Sequence, residues 1–161
     1  MVAQSLEAAT WAVLSAIPDP EIPVISLVDL GVIRHVHASG DSVEIGVSPT
    51  YSGCPATEVI RQDIKAALLG AGINDFSLVD VLSPAWSSDS ISERGADALR
   101  QYGIAPPTRT DAHAGRGDLP VACPRCAATD TERVSEFGST PCKSLYRCRV
   151  CREPFEQFKC I

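Results

Sequence analysis

Leu6, Ala9, Val13, Leu14 and Ile17 recur at helical spacing, which predicts an amphipathic helix over residues 4–17. Pro18 and Pro20 end it. Residues 19–31 lose the period: Pro20 and Pro23 stiffen the start, and an apolar patch is closed by Asp29 and Gly31. Val32 to His37 alternate as a strand, Ser39-Gly40-Asp41 reads as a turn, and Val43, Ile45 and Val47 alternate again, so a hairpin is expected. After a loop at Thr50-Tyr51-Ser52-Gly53-Cys54-Pro55, apolar Val59, Ile60, Ile64, Leu68 and Leu69 predict a helix from Pro55 to Leu69, stopped by Gly70 and Gly72. A third strand is expected over Phe76 to Leu82 and a short helix over Ser92 to Tyr102.

From Gly103 to Pro120 the residues are those of a linker, rich in Pro, Gly, Thr and Asp. Three short strands are then expected at Val134–Phe137, Leu145–Arg147 and Phe155–Phe158. The order gives an α+β fold: a small mixed sheet packed by helices, followed by a small β module.

That module is 41 residues long (121–161) and too short to bury much of a core. It carries Cys123-Pro124-Arg125-Cys126 and Cys148-Arg149-Val150-Cys151, two C-x2-C pairs separated by 21 residues. Each pair offers two thiolates from one tight turn, and two turns complete a tetrahedral shell with no open position. The four-cysteine set therefore reads as a structural metal site, zinc being the usual occupant. Iron or an iron–sulfur cluster uses the same ligands. Ala127 and Arg152 follow the turns, where glycine would best tolerate a positive φ.

Charge narrows the function. Residues 1–120 hold 7 basic and 15 acidic residues, and residues 121–161 hold 7 and 5. An acidic body does not suit nucleic-acid binding. No apolar run approaches the roughly 20 residues of a membrane span, and no basic segment followed by an apolar stretch opens the chain. Seven cysteines with no export signal make a cytoplasmic location, and metal or redox chemistry, the expectation.

Three cysteines lie outside the pairs. Cys54 sits just before the long helix, where a thiol would face backbone N–H groups and the positive end of the helix dipole. A buried structural cysteine is the alternative. Cys142 and Cys160 could join Cys54 as a second thiolate set, or be unrelated small residues. Asp19, Glu21 and Asp29 flank the Pro-rich loop, with capping and turn roles as the default. His35 and His37 share one face of a strand, and His113 falls in the linker. Signatures of a nucleophile elbow, a P-loop, a dinucleotide fold and a zinc protease are missing.

Asp19-Pro20-Glu21-Ile22-Pro23, followed by Leu27-Val28-Asp29-Leu30-Gly31-Val32-Ile33, resembles the opening motif of the SufT/PaaD-type iron–sulfur assembly domain. Ser52-Gly53-Cys54-Pro55 matches that domain's single reactive cysteine. The segment Val134 to Lys143 and the terminus Phe155 to Ile161 resemble the PaaD branch, which carries a zinc ribbon and serves bacterial phenylacetyl-CoA epoxidase systems. The resemblance implies an assembly domain over 1–105, a linker over 106–120 and a zinc ribbon over 121–161.

It also implies an accessory role in phenylacetate catabolism, without catalysis by the chain itself. The role would be assembling or delivering an iron–sulfur cluster or iron to the epoxidase components, foremost the iron–sulfur flavin reductase. A homodimer is in keeping with small assembly domains. Cys54, joined by Cys142 and Cys160 and supported by Asp19, Glu21 and Asp29, would handle the cargo, while Cys123, Cys126, Cys148 and Cys151 hold zinc. A non-catalytic component that docks on the oxygenase is the rival reading.

Overall fold

The computed structural model describes residues 2–51, 53–108 and 120–159. The chain divides into two compact units, Met1–Gly95 and Ala96–Ile161. In the first, α1 (Val2–Ser15) precedes the antiparallel pair β1 (Ile33–Ser39) and β2 (Ser42–Val47). Then come α2 (Ala56–Gly70) and β3 (Phe76–Asp80), which lies parallel to β2 and completes a three-stranded sheet of order β1-β2-β3. Val36, Val43, Ile45 and Val47 are buried on one side of it. α1 packs against β1 and α2, and Glu7 accepts a hydrogen bond from the N–H of Ala38 (2.9 Å).

The predicted helices and strands of this unit are all present, with shifted ends. α2 buries Ile60, Ile64 and Leu68 at i+4 spacing but leaves Val59 and Leu69 exposed. It ends in a Schellman motif. Gly72 takes the left-handed conformation (φ +81), Ile73 N–H donates to Leu68 O (3.0 Å) and Gly72 N–H donates to Leu69 O (3.0 Å). β3 stops at Asp80, two residues short of exposed Leu82.

The loop before β1 folds back on itself. Leu27 N–H donates to Ile17 O (2.9 Å) and Asp19 N–H to Ile25 O (2.8 Å). Gly31 lies in the left-handed region (φ +78), and a Cβ there would meet Ser90 at 2.5 Å. Trp86, buried, donates its Nε1–H to Leu30 O (2.9 Å). The stretch Trp86–Gly95 is thereby pinned over the turn at Leu27–Gly31.

The second unit holds the rest of α3 (Glu93–Tyr102) and a four-stranded sheet of order β4-β7-β6-β5. Its strands are β4 (Ile104–Ala105), β5 (Thr131–Ser135), β6 (Lys143–Cys148) and β7 (Pro154–Phe158). β5 runs earlier than expected. Thr131 and Glu132 pair with Cys148 and Arg147 directly after the first cysteine turn, whereas exposed Val134 falls at a bulge and Phe137 lies beyond the strand. β4 has no counterpart in the sequence reading. Ile104 and Ala105, both buried, pair in parallel with Glu156 and Gln157, so the boundary expected near residue 105 falls inside this unit. A two-residue strand has no period to detect.

Candidate functional site

The two C-x2-C segments form matching turns. Cys123 N–H donates to Ala128 O (2.9 Å), and Cys148 N–H donates to Glu153 O (3.0 Å), at the same spacing. The residue after the second cysteine of each turn has positive φ: Ala127 at 60° and Arg152 at 64°. The four sulfurs lie within 4.8 Å of one another. Cys123 and Cys151 are 3.8 Å apart, and Cys126 and Cys148 are 3.6 Å apart. A tetrahedral ion with Zn–S near 2.3 Å spaces its sulfurs about 3.8 Å apart. The donor set therefore fits zinc in both chemistry and size.

The surroundings favour ionised sulfur unequally. The Cys148 thiol is drawn down to about 7, foremost by the backbone N–H of Cys151. Val150 N–H and the neighbouring thiols add to this, against the effect of burial. Cys151 receives a lowering hydrogen bond from Glu153 N–H, yet burial and the sulfurs of Cys148, Cys126 and Cys123 push it up to about 12. Four negative sulfurs at this spacing call for a cation. Zinc held there supplies a cross-link between the two turns. The core beneath is small (Ala105, Val121, Cys123, Cys148 and Phe155), so such a cross-link accounts for how a short module holds its shape.

At the other end of the ribbon, buried Lys143 reaches Glu156 (2.9 Å) and Ser139 Oγ (2.7 Å). Ser139 donates to Glu156 from both its N–H and its hydroxyl. Sequence reading missed this ion pair, since nothing in the spacing of residues 143 and 156 marks it. Cys142 is buried beside it, with Thr140 Oγ1 3.0 Å from its sulfur.

Cys54 belongs to the first unit. It is half-buried, follows Gly53 (φ +78), and its carbonyl accepts from Thr57 N–H (3.1 Å) as α2 begins. Pro55 takes the cap position, with a helical backbone at φ −66°. Cys54 and Cys142 thus lie in different units, and Cys160 and His113 lie outside the described residues.

Two of the acidic residues hold the loop together. Asp19 is buried, and its Oδ1 accepts from the N–H groups of Glu21 (2.9 Å) and Ile22 (2.8 Å). Asp29 receives Ser26 Oγ (2.9 Å), Ser92 Oγ (2.6 Å) and the Arg94 guanidinium (2.8 Å). Glu21 is half-buried. Nothing in the sequence singles out Arg94. Ser92 is visible there as a helix start, but its partner is not. Among the described residues, only the four ribbon cysteines gather three or more metal-capable donor atoms.

Comparison with known proteins agrees with both units. The family described as "PaaD zinc beta ribbon domain" matches residues 107–159, and that described as "Iron-sulfur cluster assembly protein" matches residues 7–74. The chain is 51% identical over 153 residues to a protein of Escherichia coli (strain K12) named as a putative 1,2-phenylacetyl-CoA epoxidase component of the PaaD type, covering 94% of this chain and 91% of that one. The chain belongs to the PaaD family.

The crystal structure of a domain of unknown function, DUF59, from Bacillus anthracis matches with a TM-score of 0.57 and 29% identity, over 62% of this chain and 95% of that one. A conserved hypothetical protein from Thermotoga maritima shares the fold with a TM-score of 0.50 and 19% identity, over 60% and 93%. As a member of the PaaD family, the chain has both the assembly-type domain and the zinc ribbon expected from sequence. No helix among the described residues is long and apolar enough to cross a membrane.

Proposed function

We propose that this chain assembles or delivers an iron–sulfur cluster, or iron, to the components of a phenylacetyl-CoA epoxidase, with the iron–sulfur reductase as the client. The observation that carries the reading is the division of labour among its thiols. Four are closed on one another in the ribbon. Cys54 stands apart, half-buried in a glycine-flanked loop ahead of a helix. A carrier needs a thiolate that takes up cargo and gives it back, which a closed four-sulfur shell does not do readily. In this reading Cys54 handles the cargo, Cys142 and Cys160 assist it, and Asp19, Glu21 and Asp29 shape the supporting loop. Zinc in the ribbon is structural. The protein acts in the cytoplasm and is not itself the catalyst.

The test is purification without oxygen of the wild type beside Cys54→Ser, with elemental analysis and a visible spectrum. Iron and sulfide beyond one zinc per chain, lost in Cys54→Ser, are expected. Epoxidase maturation is expected to fail in a strain carrying the variant while the variant protein stays folded. An active Cys54→Ser strain overturns the carrier role and leaves a docking component in its place.

A further inference from the structure

The face of the β1-β2-β3 sheet opposite Val36, Val43 and Ile45 carries a donor set that the thiol chemistry does not use. β1 places His35 and His37 two residues apart, so both side chains leave the strand on this side. Their rings stack with centroids 4.9 Å apart and planes inclined by 24°. Glu44 lies directly across the ladder from His37. Its Oε1 is 3.3 Å from Nε2 of His35. Next on this face of β2 is Gly46. A Cβ there would stand 2.3 Å from Cε1 and 2.4 Å from Nδ1 of His35. The imidazole lies against the backbone of β2 because this residue has no side chain. His37 and Glu44 are exposed and His35 is half-buried, so solvent reaches all three.

An ion pair with Glu44 requires only one histidine. It gives no reason for a second imidazole stacked on the first, which sets two like charges side by side whenever both are protonated. Neutral imidazoles with a carboxylate are instead a donor set for borderline divalent ions such as zinc, iron(II), cobalt(II) and nickel(II). Metal–nitrogen bonds of about 2.0–2.1 Å bring two ring nitrogens roughly 3 Å apart. As arranged, these donors are more spread than the four cysteines, and rotation of exposed His37 about its side-chain bonds closes the difference. We propose that His35, His37 and Glu44 form a second, solvent-facing site for a divalent transition-metal ion. This inference stands apart from the role of Cys54.

The test is titration of the zinc-loaded full chain with Ni2+ near pH 7.5, where free imidazole (pKa about 6.5) is mostly neutral. Calorimetry gives the stoichiometry, and paramagnetic broadening of amide signals gives the place. One Ni2+ per chain beyond the retained zinc is expected, broadening signals of residues 35–37 and 44–46. Loss of an outer-shell partner already costs roughly tenfold or more in metal affinity, so His35→Asn and His37→Asn should each weaken binding at least that much. Glu44→Gln should weaken it less. The proposal is overturned if no second equivalent binds, if both histidine variants bind as the wild type does, if Ni2+ only displaces the zinc, or if Cys54→Ser alone removes the binding.

Discussion

Ser92 holds Asp29 twice. Its N–H donates to the Asp29 carbonyl (2.8 Å), and its hydroxyl donates to Oδ1 (2.6 Å). The same Oγ accepts from Gly95 N–H (3.0 Å), so the residue that starts α3 is also the anchor of the Leu27–Gly31 turn. Replacing Ser92 by Ala removes an N-cap, worth about 1 kcal/mol, and one hydrogen bond to a carboxylate, worth about 1.5–3 kcal/mol. Urea unfolding followed by Trp86 emission should show the first unit destabilised by about 2–3 kcal/mol in total, with ribbon zinc retained.

Acid should weaken both units through named carboxylates. Burial alone would raise the Asp29 pKa, but hydrogen bonds from Arg94, Ser92 and Ser26 and the charge of Arg94 outweigh it, so the group titrates below its ordinary 3.8. Glu156 behaves alike: burial is outweighed by Ser139 and Lys143, and it titrates below its ordinary 4.5. A lowered folded-state value means that the unfolded chain binds protons first. The stability is therefore complete above the ordinary value and is lost as pH falls through the folded one. Thermal midpoints measured from about pH 6 to pH 3 should drop below roughly pH 4.5. Asp29→Asn and Glu156→Gln should each flatten that drop.

Stripping zinc should unfold the ribbon and spare the first unit. Structural zinc contributes on the order of 10–16 kcal/mol to small domains, more than the small ribbon core can replace. Both tryptophans, Trp11 and Trp86, lie in the first unit. After chelation, the emission of Trp86 should stay that of a buried indole while limited proteolysis cuts within residues 121–159. Cys148→Ser should reproduce the effect without chelator. Affinity for zinc should fall on acidification, because protons compete for the same sulfurs.

The two cysteine turns carry strain that can be relieved. An L-residue in the left-handed region costs roughly 1–2 kcal/mol, while glycine there gives back about 0.5–1 kcal/mol through the entropy of its unfolded chain. Ala127→Gly and Arg152→Gly should each stabilise the zinc-loaded ribbon by up to about 1 kcal/mol. A raised thermal midpoint of the second unit is the expected reading.

Much of this was legible in the sequence because the patterns were long or chemically marked. The α2 stripe Ile60, Ile64, Leu68 repeats over three turns, and the paired C-x2-C spacing leaves little else for four sulfurs to do. The positive φ at Ala127 and Arg152 was visible as glycine positions without glycine. What stayed hidden depends on residues far apart in the chain. Asp29 meets Arg94, and Lys143 meets Glu156, through tertiary folding that no local period records. β4 is too short to have a pattern, and β5 was misplaced because apolar Val134 and Phe137 point to solvent instead of into the sheet. The shared face of His35 and His37 could be read from their spacing, but the carboxylate of Glu44 comes from the neighbouring strand.

The parallel pairing of β4 with β7 also sets an order in time. Ile104 pairs with Glu156, which the ribosome adds 52 residues later (156 − 104 = 52). At 5–20 residues per second, that is a wait of roughly 3–10 s. During it, the cysteine turn at 123–126 and strand β5 are already made while β4 still lacks its neighbour. The first unit can be finished at Gly95 before any of this begins, so a nascent chain would carry a completed Cys54 loop ahead of an open ribbon.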